Sequence, residues 1–281
     1  MRLRFLPSIA ALLCAGHVAL ASSALASPAK PVAVEIPRAG GVLHAQLYKP
    51  DGDGPFPTVV ALHGCAGLSG TAAPVRSRYA DWAEQLLKTG HAVLWPDSYG
   101  SRELGPQCHA KTRRMTARRE RLADISAARH WLAEQAWVVR HRIGLVGWDT
   151  GASALLWAVR PQTVLAKGEP EFRSAVAFYP DCRSSARLGW SARVPTLVLI
   201  GGSDDITSAS ACRAMVDGAQ GRSALTRLVV YPGVYHDFDQ PGVSLHLTSA
   251  ADPEAPEHGH LGFDPAARAD AEKRVAHWLG R

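Results

Sequence analysis

Five residues, Gly147-Trp148-Asp149-Thr150-Gly151, constrain this chain more than any others. Before them, Arg142-Ile143-Gly144-Leu145-Val146 reads as a buried strand. After them, Ala152 to Ala158 reads as a helix. A strand that turns at once into a helix through G-x-D-x-G needs a glycine on each side, because the tight turn leaves no room for Cβ atoms. Such a turn lifts its central residue to the carboxyl edge of a sheet, where open α/β sheets place their chemistry. The central residue is usually a Ser or Cys nucleophile. Here it is Asp149.

The rest of the pattern agrees with such a sheet. Val32 to Ile36 and Val42 to Tyr48 read as a hairpin turning at Gly40-Gly41. Thr58 to Leu62 and His91 to Trp95 are continuous apolar runs, as strands buried on both faces are. Ser174 to Phe178, Thr196 to Ile200 and Thr226 to Tyr231 are further strands. Tyr79 to Lys88, Ala117 to Gln135 and Pro265 to Leu279 read as helices. Alternating strands and helices predict one domain with a mainly parallel sheet and helices on both faces. The chain has 281 residues, enough for one sizeable core.

Three strand ends then carry chemistry in one order. Asp149 stands at the turn, Asp204 and Asp205 follow Leu199-Ile200-Gly201-Gly202-Ser203, and His236 follows Tyr231-Pro232-Gly233-Val234-Tyr235. Nucleophile, acid, histidine is the chain order of an α/β-hydrolase. This assigns Asp149, Asp204 and His236 as the triad positions. An oxyanion hole needs backbone N–H groups aimed at developing charge. Thr150 supplies one. Cys65, in Leu62-His63-Gly64-Cys65-Ala66-Gly67, supplies the other, and its thiol is read as structural.

The N-terminus reads as a cleaved export signal. Arg2 and Arg4 precede an apolar stretch from Phe5 to Leu20, and Ala24-Leu25-Ala26 offers a cleavage site. The expected division is a signal peptide over 1–26 and a hydrolase domain over 27–281, in the periplasm or outside the cell, with no membrane attachment after cleavage. Cleavage removes Arg2 and Arg4 and no acid, so the formal charge of +6 falls to +4. That balance does not call for a nucleic-acid partner. Cys65, Cys108, Cys182 and Cys212 remain. An even count in an exported chain suggests disulfides. Three pairings are open. Neighbouring strand ends favour 65–108 with 182–212, and buried free thiols are the alternative.

These motifs together resemble the dienelactone hydrolase family, in particular its secreted bacterial branch. The likeness runs over roughly residues 32–280. It rests on Leu62-His63-Gly64-Cys65, Trp95-Pro96-Asp97-Ser98-Tyr99-Gly100, the elbow, Ala177-Phe178-Tyr179-Pro180, the Gly201 to Asp205 turn, and Tyr231-Pro232-Gly233 leading to His236. The resemblance implies a capless α/β-hydrolase that cleaves a small ester or lactone, with no cofactor and no metal. By position it makes Asp204 the acid and His236 the base. The chain departs from the family at Asp149 and at Ala152, where a second glycine is common.

An aspartate at the elbow changes the chemistry. It is already ionised near neutral pH and needs no base. It can displace a leaving group from saturated carbon, giving an alkyl-enzyme ester that His236 and water then hydrolyse. The elbows of haloalkane and haloacid dehalogenases and of epoxide hydrolases are similar. Those enzymes usually carry a cap domain, for which Pro180 to Val194 is too short. Two other readings follow: a catalytically silent binding protein on the same fold, or a variant of a parent serine enzyme. The expected partner is a small-molecule substrate. Arg114 and Arg119, from the basic run Lys111 to Arg121, together with Trp148 and Tyr99, are the expected substrate contacts. Asp237 and Asp239 read as loop caps, and Glu257-His258-Gly259-His260 as a flexible surface loop.

Overall fold

The first two strands, β1 (Val32–Arg38) and β2 (Gly41–Tyr48), form the expected hairpin, and Gly40 and Gly41 make its turn at positive φ. A computed structural model describes residues 30–68, 73–109, 115–165, 168–256 and 258–281. The expected export signal over 1–26 and Arg114 lie outside these residues. The remaining strands of the main sheet are β3 (Phe56–Leu62), β4 (Ala92–Pro96), β5 (Val138–Trp148), β6 (Ala175–Phe178), β7 (Thr196–Gly201) and β8 (Thr226–Tyr231). Their order across the eight-stranded sheet is β1-β2-β4-β3-β5-β6-β7-β8. From β4 to β8 every pairing is parallel, and β2 joins β4 antiparallel. The central strands are continuously apolar because both their faces are covered.

The helices are α1 (Ala73–Lys88), α2 (Glu120–Ala133), α3 (Thr150–Ala158), α4 (Arg183–Arg187), α5 (Ala209–Gly218) and α6 (Pro265–Leu279). Arg268 of α6 pairs with Asp81 of α1, while α2 packs against α3. Two corrections follow. The helix expected over Ala117 to Gln135 starts at Glu120, whose carboxylate accepts from the Thr116 N–H and hydroxyl and so closes the preceding turn. Helix α5 was not expected. Only Cys212 and Met215 of it are buried, so its apolar stripe is thin, and Ser208 caps its start by accepting from the Ala211 N–H. Between Pro180 and Val194 the chain holds only the short α4. No helix among the described residues is long and apolar enough to cross a membrane.

Both favoured disulfides are formed, Cys65–Cys108 and Cys182–Cys212. The second spans 30 residues and ties the start of α4 to the buried side of α5. Closing a loop of that length stabilises a fold by about 3–4 kcal/mol through the unfolded state. Replacing both cysteines with alanine should lower the melting temperature by about 10 °C, read by calorimetry. A shift under about 3 °C would mean that α4 and α5 hold together without the bridge.

Candidate active site

Strand β5 hands its chain directly to α3, and Asp149 takes φ 50° and ψ −115° at the join. The glycines explain why the turn exists. A Cβ at Gly151 would lie 2.4 Å from Leu62 O, and one at Gly147 would lie 2.8 Å from the Ala152 nitrogen. The Asp149 N–H donates to Phe178 O at 3.1 Å, which locks the elbow to β6. A non-glycine residue at positive φ persists only where its surroundings hold it.

The Asp149 carboxylate is half-buried against the loop that follows β3. Its Oδ2 accepts from the Cys65 N–H at 2.8 Å, and the Thr150 N–H also donates to the carboxylate. The two amides expected to form an oxyanion hole therefore both face the aspartate's own carboxylate. Burial raises the Asp149 pKa, and the His236 charge and the two amides oppose that rise.

Asp204 stands in the turn after β7. Its Oδ1 accepts from the Thr207 N–H at 2.7 Å and the Ile206 N–H at 3.0 Å, and its Oδ2 from the Thr207 hydroxyl at 2.9 Å. The His236 Nδ1 lies 2.8 Å from the same Oδ2. The carboxylate is an acceptor there, so Nδ1 carries the proton and Nε2 faces away. The turn and the histidine loop meet backbone to backbone: a Cβ on Gly201 would lie 2.2 Å from Val234 O. Burial lowers the His236 pKa, but the Asp204 charge and hydrogen bond, then Asp237 and Asp149, lift it to about 9. The stability this gives is fully present below the unfolded value near 6.5 and is lost as pH rises through about 9. The resistance of the wild type to denaturant should fall over that window, and Asp204→Asn should flatten the slope.

Beneath the site lies a second set of buried charges. Asp239 accepts from the indole N–H groups of Trp82 at 2.6 Å and Trp148 at 2.7 Å, and from the Tyr179 hydroxyl at 2.7 Å. Tyr179 packs its ring 4.3 Å from that of His236. Asp237 pairs with buried Arg78 at 2.5 Å. Neither aspartate is the loop cap expected of it.

A cavity of about 410 Å³ opens over Asp149, in the range of small-molecule sites. Tyr99, Arg118, Arg121, Trp157 and Arg183 line it, with Thr150 at its floor. Tyr99 stands on the cavity wall. Trp148 does not: it is fully buried with its indole tied to Asp239, so it underlies the site and cannot touch a ligand in the cavity. Arg119 is corrected too. Its side chain is 84% exposed and pairs with Glu120. The arginines that face the cavity are Arg118, stacked over Trp157, and Arg121, which donates to His63 O. Arg118 lies in the turn before α2 and Arg121 in its first turn, so no single helical face marked the pair in the sequence. The flexible loop expected around His260 is also corrected: its N–H and Nδ1 both engage the Asp205 carboxylate, at 2.8 and 2.7 Å. Glu257 lies outside the described residues. Among the described residues no three candidate metal ligands gather.

The model of the dienelactone hydrolase family matches residues 43–281. The chain belongs to the dienelactone hydrolase family. It is therefore an α/β-hydrolase by fold and lineage. Solved structures agree on the fold. A protein described as a putative dienelactone hydrolase, from Klebsiella pneumoniae, is 18% identical at a TM-score of 0.66, covering 89% of this chain and 99% of that one. The dienelactone hydrolase of Anabaena variabilis is 19% identical at 0.63, covering 90% and 98%. A dienelactone hydrolase-like promiscuous phosphotriesterase from metagenomic libraries is 16% identical at 0.66, covering 90% and 98%. No curated protein matches the sequence.

Proposed function

We propose that this family member hydrolyses a small halogenated organic acid, with Asp149 as the nucleophile, His236 as the base and Asp204 as its orienting acid. One observation carries the reading: the Cys65 and Thr150 amides hold Asp149 itself. An ester substrate needs that hole for its own carbonyl oxygen, and the carboxylate stands in it. An alkyl-enzyme ester on Asp149 needs the hole for the Asp149 carbonyl, where the amides already point. Arg118, Arg121 and Arg183 make the cavity wall suited to a substrate carboxylate.

The first step is a displacement. Asp149 Oδ1 forms a bond to the saturated carbon while the carbon–halogen bond breaks and halide leaves with the electron pair. Ester formation removes the Asp149 charge, which weakens the hold of His236 on its Nε2 proton, and that proton passes to solvent. Neutral His236 then takes a proton from water, which attacks the ester carbonyl. The leading segment and the two disulfides support a place outside the cytoplasm.

The test is acid and halide release by purified 27–281, with haloacids, small esters and lactones offered in parallel. Haloacid turnover should fall by about 10⁴-fold or more in both Asp149→Ala and Asp149→Ser. Ester turnover that appears only in Asp149→Ser would sink the proposal, since aspartate would then have silenced an esterase.

A further inference from the structure

Asp149 borders two spaces. One is the large cavity. The other is a recess of about 30 Å³ that adjoins the cavity at Cys65 and Pro256 and is lined by Arg78, Tyr79, His236 and Asp237 among others. That volume suits one or two water molecules and no organic substrate.

The recess is built for a polar occupant. Arg78 is 4% exposed, and its Nε finds no hydrogen-bond partner among the described residues. Its Nη2 holds the Asp237 carboxylate, and Asp237 takes φ 58° to reach it. The other Asp237 oxygen, Oδ1, lies 3.9 Å from His236 Nε2. That gap is too long for a hydrogen bond and short enough for one water to touch both atoms. The Tyr79 hydroxyl accepts from the Gly64 N–H at 2.9 Å and keeps its own proton to donate. A water here finds acceptors in His236 and Asp237 and donors in Arg78 and Tyr79.

We infer that this recess holds the hydrolytic water, with Asp237, pinned by Arg78, as the positioning residue that shares it with His236 Nε2. The inference rests on Asp149 being the nucleophile. Substrate then reaches the carboxylate from the cavity and water from the recess. The water gives one proton to Nε2 and its oxygen bonds to the Asp149 carboxyl carbon, while the carbonyl electron pair moves to the oxygen held by Cys65 and Thr150. Collapse breaks the bond from that carbon to the alkylated oxygen. The departing alcohol takes the proton from His236, the water oxygen stays in Asp149, and the new carboxyl proton passes to solvent.

The experiment combines quenched-flow intact mass with crystallography. With bromoacetate as probe, Asp237→Asn should form the Asp149 adduct at the wild-type rate and hydrolyse it about 10- to 100-fold more slowly. Arg78→Gln with Asp237→Asn, which leaves neither charge buried alone, should behave alike. Equal slowing of both steps would overturn the inference. The groups facing His236 are Asp204, Asp149, Asp237 and Tyr179, with Arg78 and Tyr79 from α1 and Glu254 across the recess. Losing the Asp237 charge should move the acidic limb for adduct hydrolysis, where His236 becomes protonated, to lower pH, which a merely structural defect would not do. A crystal structure of the wild type should show an ordered water touching both Asp237 Oδ1 and His236 Nε2. Its absence overturns the site whatever the kinetics show. No adduct in any form, with that water present, would instead remove the nucleophile assignment.

Discussion

His236→Gln should trap the chain as a stable covalent adduct. Alkylation asks nothing of the imidazole except proximity, because Asp149 attacks as a carboxylate already seated on the Cys65 and Thr150 amides. Hydrolysis asks for a base, and general-base assistance is worth roughly 10²–10⁴-fold. The variant should release about one halide per chain in a burst and then nearly stop. Its mass should rise by the alkyl group, mapped to Asp149 by peptide sequencing. Single turnover of the wild type in ¹⁸O-water should label Asp149 and leave the first alcohol unlabelled, since the product takes its oxygen from the enzyme. A variant that neither bursts nor gains mass would return Asp149 to a silent role. Turnover at the wild-type rate would remove His236 from the chemistry.

The parts of this site that were legible in the sequence are those decided locally. The elbow is legible because Gly147 and Gly151 face backbone within 3 Å of where a Cβ would stand, which only glycine at both flanks satisfies. Asp204 and His236 are placed by strand ends, and strand ends are marked by apolar runs breaking into Gly and Pro. The disulfides follow from which strands are neighbours. Trp148 misled for a physical reason. Strand β5 is buried on both faces over its last six residues, so alternation gives no sign of which face a side chain takes. Arg119 misled because Glu120, bonding back to Thr116, starts the helix later than its apolar pattern suggests and turns Arg118 and Arg121 inward instead.

Arg78, Asp237 and Asp239 were illegible in kind. Asp239 meets Trp82 across 157 residues, Trp148 across 91 and Tyr179 across 60. No local spacing encodes such contacts, and an acid beside His236 reads as a loop residue until the sheet brings α1 beneath it. The same distance makes the network a measure of the whole fold. It joins α1, the end of β5, the residue after β6 and the loop before α6 through one carboxylate.

Asp239→Ala should therefore cost more stability than any other single change beneath the site. Asp239 is fully buried, and its loss strands two indole N–H groups and a phenol hydroxyl away from water. Each stranded donor costs about 1–3 kcal/mol, and the cavity left by the carboxylate adds to that. Partial relaxation brings the expected total to about 4–6 kcal/mol, a large part of a typical folding free energy. The melting temperature should drop by about 10–20 °C. Asp239→Asn should lose roughly half as much, because its amide keeps one acceptor oxygen and turns donors on the rest. Denaturant titration of the three proteins decides the matter. Near-equal stability of wild type and Asp239→Ala would show that the tryptophans and Tyr179 find other partners. In that case the packing of Tyr179 against His236 would owe nothing to the carboxylate below it.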